Sequence, residues 1–327
     1  MIRAEIIPRE LAATIYQHEI VSGGGSVPCW SYLSDGLRKT GQKELLLTVT
    51  RSQAESPSNL PLQFFAEVWQ HARAGDLIDA GGFSDFLESG FLGPFSGVIY
   101  ARAQPLSGVP AGADTLAVFL VTDEELDVIR RCGTSRVITR LGYVYRHFPF
   151  PPWSDRNRNS VVNPAFWRES VLTKLALPWL RPAGTRVRKE KGRLRLSLPF
   201  HLASSINSFL SKFEPTYPIV LMGEPDPDAD ALLVWEPGQQ QPRATMCEGS
   251  LGESVGGGFV IFDSHDQTNS IQLAEDGFFM FLTADCWADV RRSMQSGLPA
   301  SVSGPDGLPI FDLSWWRRTP DDHPTMN

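Results

Sequence analysis

Six histidines (His18, His71, His147, His201, His265 and His323) and four cysteines (Cys29, Cys132, Cys247 and Cys286) carry the side chains best suited to metal binding or nucleophilic attack. Their spacing argues against both. No HxH or HExxH pair puts two imidazoles on one ion, no CxxC pair begins a zinc ribbon, and no GxSxG elbow presents a serine. His265 with Asp263 and Asp266 is the densest titratable group, and it falls in a polar turn after a strand. Asp226, Asp228 and Asp230 begin like a calcium loop, yet the sixth position is Ala231 and the twelfth Pro237, where glycine and glutamate are required. The glycines at 23–25 and 256–258 have no strand-GxGxxG-helix context and read as turns. The residues therefore predict no catalytic residue, no metal and no cofactor; the alternative is an enzyme, hydrolase-like, whose site is assembled from remote positions without a motif.

Two basic stretches remain. One carries Arg181, Arg186, Arg188, Lys189, Lys191, Arg193 and Arg195 against Glu190 alone. Several of these alternate, so the stretch is either an anion-facing patch or the solvated face of an antiparallel sheet. The other interleaves Arg140, Arg146, Arg156 and Arg158 with Tyr143, Tyr145, Phe148, Phe150 and Trp153. Arginine between aromatics makes binding hot spots and also packs domain junctions. Arg146, Trp153, Arg156 and Arg158 are the candidate partner-binding residues.

These side chains need elements to position them. Pro8 and the spacing after it predict a helix over Arg9–Tyr16. Glu44–Arg51 reads as a buried strand, and Leu62, Phe65, Val68, Trp69 and Ala72 recur at helical spacing. Two further strands, at Val98–Tyr100 and Leu116–Val121, lead to a Thr122/Glu125 capping box whose helix stops at Gly133, and Arg136–Phe148 reads as a long strand. Later, Arg193–Leu198 alternates as a half-buried strand, Ile206, Phe209, Leu210 and Phe213 form a helical stripe, and Phe259–Phe262 is apolar. A threonine then caps a second helix ending at Gly297, and Pro309–Trp316 closes the pattern. The expected fold class is α+β, with two mixed or antiparallel sheet halves and flanking helices. The recurring grammar is either an internal duplication or shared turn chemistry.

The expected organisation is a first half over 1–155, a Pro- and aromatic-rich connector over 156–182, a second half over 183–316 and a mobile tail over 317–327. The chain has 327 residues, 42% of them hydrophobic and 20% charged, a globular mix long enough for a large core. A net charge of -7 speaks against whole-chain nucleic-acid binding and for a basic protein partner. Scattered cysteines, an N-terminus with acidic residues and apolar runs of only strand length predict a cytoplasmic protein without membrane insertion.

Cys29-Trp30-Ser31-Tyr32-Leu33-Ser34-Asp35-Gly36, continued by Gly41, Gln42 and Glu44, resembles the opening of the C-terminal domain of endofin and the Smad anchor for receptor activation. Phe91-Leu92-Gly93 with Gly97 and Tyr100, then Arg140, Gly142, Tyr145, Arg146, Pro149, Arg156 and Arg158, fall in the order of that family, as does Glu275-Asp276-Gly277. The Trp-Ser-Tyr opening more weakly resembles the suppressor of fused superfamily. The resemblance implies a non-catalytic protein-interaction module of adaptor or immunity type. Four cysteines cannot build a FYVE finger, so endosomal lipid targeting is not implied. Trp30, Tyr32, Asp35, Gly36, Gly41, Gln42, Glu44, Arg140 and Gly142 are expected to be structural. Trp30 and Tyr32, two apart in an extended segment, should face one side and be buried.

Overall fold

The computed structural model describes residues 1–23, 25–86, 94–112, 114–226, 228–264 and 267–317. From residue 318 onward the expected tail, with His323, lies outside the described residues, as do Phe91, Leu92, Gly93, His265 and Asp266.

The fold is α+β, built on three sheets. The first runs in the order Ile2–Ile7, Leu11–Ser22, Gly25–Asp35, Leu45–Thr50, Leu116–Val121, Gly97–Arg102, Phe83–Asp85. Its Leu116–Val121 strand is buried on both faces because alternate side chains enter different cores. Leu116, Val118 and Leu120 meet the Leu60–Arg73 helix side, while Ala117, Phe119 and Val121 meet the helices Asp123–Cys132 and Thr134–Tyr145.

The second sheet runs Arg243–Met246, Ala231–Val234, Ser254–Gly257, Arg186–Glu190, Arg193–Pro199, Pro309–Trp316, Ala300–Ser303. The third runs Ser270–Ala274, Gly277–Phe281, Phe259–Asp263, Ile219–Met222, Trp179–Leu180. It is again two-sided: Phe259 and Ile261 join the core of the first half, and Val260 and Phe262 pack with Trp287 of the Ala284–Ser296 helix in the core of the second. One hydrophobic core thus continues across the sequence midpoint. Among the described residues no helix is long and apolar enough to cross a membrane.

Three local expectations are corrected. Arg9–Tyr16 is not helical. Arg9 takes a positive φ of 64° and Glu10 N–H donates to Ile7 O, so Pro8 opens a turn into the Leu11–Ser22 strand, which pairs along its length with Gly25–Asp35. Arg136–Phe148 is a helix, Thr134–Tyr145, in which Val137, Ile138 and Leu141 are buried at helical spacing; tertiary burial outweighs the β-branched and aromatic composition. The duplication fails on topology. Thr122 and Thr283 do cap equivalent-looking helices, accepting from Glu125 N–H and Cys286 N–H. However, Gly97–Arg102 pairs antiparallel with Leu116–Val121, whereas Phe259–Asp263 pairs parallel with Gly277–Phe281. Shared turn chemistry accounts for the likeness.

Candidate functional site

The basic alternation at 186–195 folds into one face of the second sheet. Arg188 stands opposite Arg195 and Arg186 opposite Ser197, with Asp312 and Ser314 beside them on the next strand. The other face, Leu194, Leu196, Leu198, Phe311 and Leu313, is core. The polar face is not open to bulk solvent throughout. It looks across a cavity of about 330 Å³ at the strand ends of the first sheet.

That opposing wall is made by Lys43, which precedes Leu45, and by Arg102, which ends its strand opposite Leu116. Lys43 is held in place by its neighbours. Gln42, 1% exposed, accepts from Ile78 N–H at 2.7 Å and donates to Ile78 O at 3.1 Å. Glu44 accepts from Ser34 Oγ at 2.5 Å, Gly36 N–H at 3.0 Å and Arg38 N–H at 3.2 Å. Gly36, at φ 128°, packs against the Glu10 carbonyl too closely for any side chain, and Gly41 is the left-handed cap of the short helix between them. The opening motif therefore forms a rigid corner that aims Lys43 into the cleft. Trp30 is 7% exposed and Tyr32 fully buried in the same core, while Asp35 is exposed and pairs with Arg3.

Six cations, Lys43, Arg102, Arg186, Arg188, Arg195 and Arg317, surround the cavity against two carboxylates, Asp114 and Asp226. Arg186 pairs with Asp228 and sits 3.6 Å from Asp226, Arg195 lies 3.3 Å from Glu190, and Lys43 pairs with Asp79. Arg102 and Arg317 make no ion pair among the described residues. Their guanidiniums lie over aromatic rings instead, 5.6 Å from the centroid of Trp316 and 4.2 Å from that of Phe200.

A second cavity of about 300 Å³ adjoins the first and shares Arg102 and Arg186 with it. Its walls are mainly apolar, from Ala101, Ala103, Ile138, Pro149, Phe150 and Pro225. Glu224 reaches its edge, nearly buried, and accepts from Gly184 N–H; Gly184 O in turn accepts from Trp316 Nε1 at 3.1 Å. Burial pushes the Glu224 carboxyl up, against the opposing pull of the Gly184 N–H and the Arg102 charge. No histidine or cysteine lines either cavity, and among the described residues no group of three or more metal-ligating side chains converges. The arrangement is suited to holding an anion.

The candidate partner residues of the connector do not form one exposed patch. Trp153 is buried, edge-on to Tyr145 and His147. Arg158 is buried in a bidentate pair with Glu125 and also donates to Leu120 O at 2.7 Å. Both are corrected to internal roles, because residues 153–158 are threaded against the first sheet: Thr50 N–H donates to Ser154 O, and Ser154 N–H donates to Thr48 O. Arg156 is half-buried in a pair with Glu55, and Arg146 is exposed at a left-handed helix cap. Arg140 pairs with Glu236 across the two halves, and Gly142 leaves room for the Pro149 carbonyl.

Lys43, Arg102, Trp316 and Arg317 had no sequence signal as a group. Only Arg186, Arg188 and Arg195 announced themselves, through alternation.

No family model matches the chain, and no curated protein matches it; the endofin-type resemblance is not shown by these comparisons. Among solved structures, Drosophila Suppressor of Fused aligns over 92% of this chain and 87% of its own, at 12% identity and a TM-score of 0.40. The Sufu–Fu complex structure aligns over 46% of this chain and 77% of that chain, at 17% identity and a TM-score of 0.39.

Proposed function

We propose that the chain is a non-catalytic protein-interaction module, an adaptor or immunity-type binder, that receives an acidic segment of its partner in the basic cleft between its halves. The observation that carries this is the cluster of six cations about one cavity, two of them without a carboxylate partner among the described residues, in a chain whose net charge is -7. Cations gathered around a concave site focus a positive potential, which an acidic ligand relieves. Trp316 and Phe200, stacked with Arg102 and Arg317, add the aromatic and arginine surface that concentrates binding energy at interfaces.

Fluorescence anisotropy with a labelled glutamate-rich peptide tests this. The wild-type chain should bind it with an affinity that falls steeply with salt, and Arg188→Glu with Arg195→Glu should abolish binding while circular dichroism stays unchanged. Arg146→Glu with Arg156→Ala should leave binding as it was. The opposite pattern, loss through the connector pair and none through the cleft pair, moves the partner to the connector and overturns the proposal.

A further inference from the structure

The two cavities share Arg102 and Arg186, so one occupant can reach both. Their order along the cleft is set by the strand. Leaving the apolar cavity, the first cations met are Arg102 and Arg186; Arg188 and Arg195 line only the basic cavity. Arg186 and Arg188 are two residues apart on one strand, so their side chains leave the same face roughly 6.6–6.8 Å apart. Arg195, directly opposite Arg188, makes the farther position a pair of guanidiniums.

An extended peptide repeats its same-face side chains at that same distance. A single small carboxylate cannot engage both positions at once, and each cavity alone is near the lower limit of roughly 300 Å³ for a ligand pocket. Resting on the reading of the cleft as an acceptor of acidic segments, we infer that its occupant is an extended partner segment with one large apolar residue and, beside it, two acidic residues at alternate positions. The apolar side chain fills the cavity lined by Ala103, Ile138 and Phe150. The first carboxylate meets Arg102 and Arg186, and the second meets Arg188 and Arg195.

Anisotropy titrations of the full chain with four labelled peptides test this, each made in both chain directions. One has a tryptophan and two glutamates at alternate positions; one replaces the tryptophan by alanine; one places the glutamates adjacent; one replaces the glutamates by glutamines. The first should bind roughly tenfold or more tighter than the alanine peptide, the increment expected for burying one large apolar side chain. It should also bind several-fold tighter than the adjacent-glutamate peptide. Ala103→Phe, which fills the apolar cavity, should erase the tryptophan advantage and keep the binding of the alanine peptide. Equal binding of the tryptophan and alanine peptides, or of the two glutamate spacings, overturns the inference and leaves the acidic-segment reading standing. If the glutamine peptide binds as well as the glutamate one, both fall. The peptide series on the unmodified chain decides the matter even where Ala103→Phe fails to fold.

Discussion

The enclosed arginines Arg136 and Arg158 differ from those of the cleft in what surrounds them, and the difference separates structure from recognition. Arg158 meets Glu125 with both side chains almost fully enclosed, and its remaining donors reach Leu120 O and Asn159 O. Arg136 is enclosed likewise by Asp276, Glu275, Ser170 and the Phe166 carbonyl, and it lies 4.6 Å from the centroid of Trp235. Burial works against its charge, yet the two carboxylates outweigh that and hold the guanidinium above its usual range. In the cleft, Arg188 and Arg195 lie 3.8 Å from Asp226 and 3.3 Å from Glu190 with side chains partly exposed, and Arg102 has no carboxylate partner among the described residues, in a cavity lined by more cations than carboxylates. An enclosed arginine with every donor satisfied fixes the chain; a partly exposed one at a cavity wall is available to a ligand.

The largest effect should come from the enclosed pair. Arg158→Ala leaves the Glu125 carboxylate, with 0% side-chain exposure, facing no cation, and should cost roughly 3–5 kcal/mol in chemical denaturation. Arg158→Met with Glu125→Gln, which removes the buried charge and keeps an amide oxygen for the Thr122 N–H, should recover part of that loss. A single-variant loss below about 1 kcal/mol would remove the contrast between the two arginine classes.

Cleft arginines should show the reverse profile. Arg188→Ala with Arg195→Ala should shift stability by no more than about 0.5 kcal/mol per site, while weakening the glutamate-rich peptide by roughly 1–3 kcal/mol. Equal losses in both measurements would class them with Arg158.

Arg156 stands between the classes, with side-chain exposures of 33% for it and 26% for Glu55. Arg156→Ala should cost about 0.2–1 kcal/mol at neutral pH. The Arg156 hydrogen bond holds the Glu55 carboxyl below its ordinary range. Its contribution is therefore complete above the unfolded glutamate pKa and lost as pH falls through the lowered folded value. Denaturation curves of the variant should lack that part of the acid loss.

Glu224 should give the smallest shift and the opposite sign. Its carboxyl is raised in the folded protein, so stability declines as pH rises from the unfolded glutamate value through the folded one. Glu224→Gln keeps an acceptor for Gly184 N–H and should be at least as stable as wild type at pH 7, with the difference vanishing below about pH 4. A less stable variant at pH 7 would mean that the carboxylate is held ionised by the cleft cations.

Legibility in the sequence followed the range of the forces involved. The Thr122/Glu125 box, the Leu45–Thr50 strand and the alternating Arg193–Pro199 strand were readable because each depends on residues a few positions apart. At Arg9–Tyr16 and Arg136–Phe148 the structure departs from local composition, because a turn at positive φ and burial by distant elements override it. The resemblance implies that the opening motif is structural, but its role in aiming Lys43 depends on Ile78, 36 residues beyond Gln42, which no spacing rule connects to it.

By itself the sequence determined the α+β class, the main caps and breaks, and the basic alternation at 186–195, since period and capping are properties of neighbours along the chain. Only the tertiary structure decided which arginines are neutralised and which face a cavity. Net charge sums over the whole chain and gives -7, pointing to a basic partner, whereas a ligand responds to the charges within a few ångströms. Those come from residues as far apart as Lys43 and Arg317, brought to one cleft by sheet pairing and a shared core, and among the residues that line it cations outnumber carboxylates six to two.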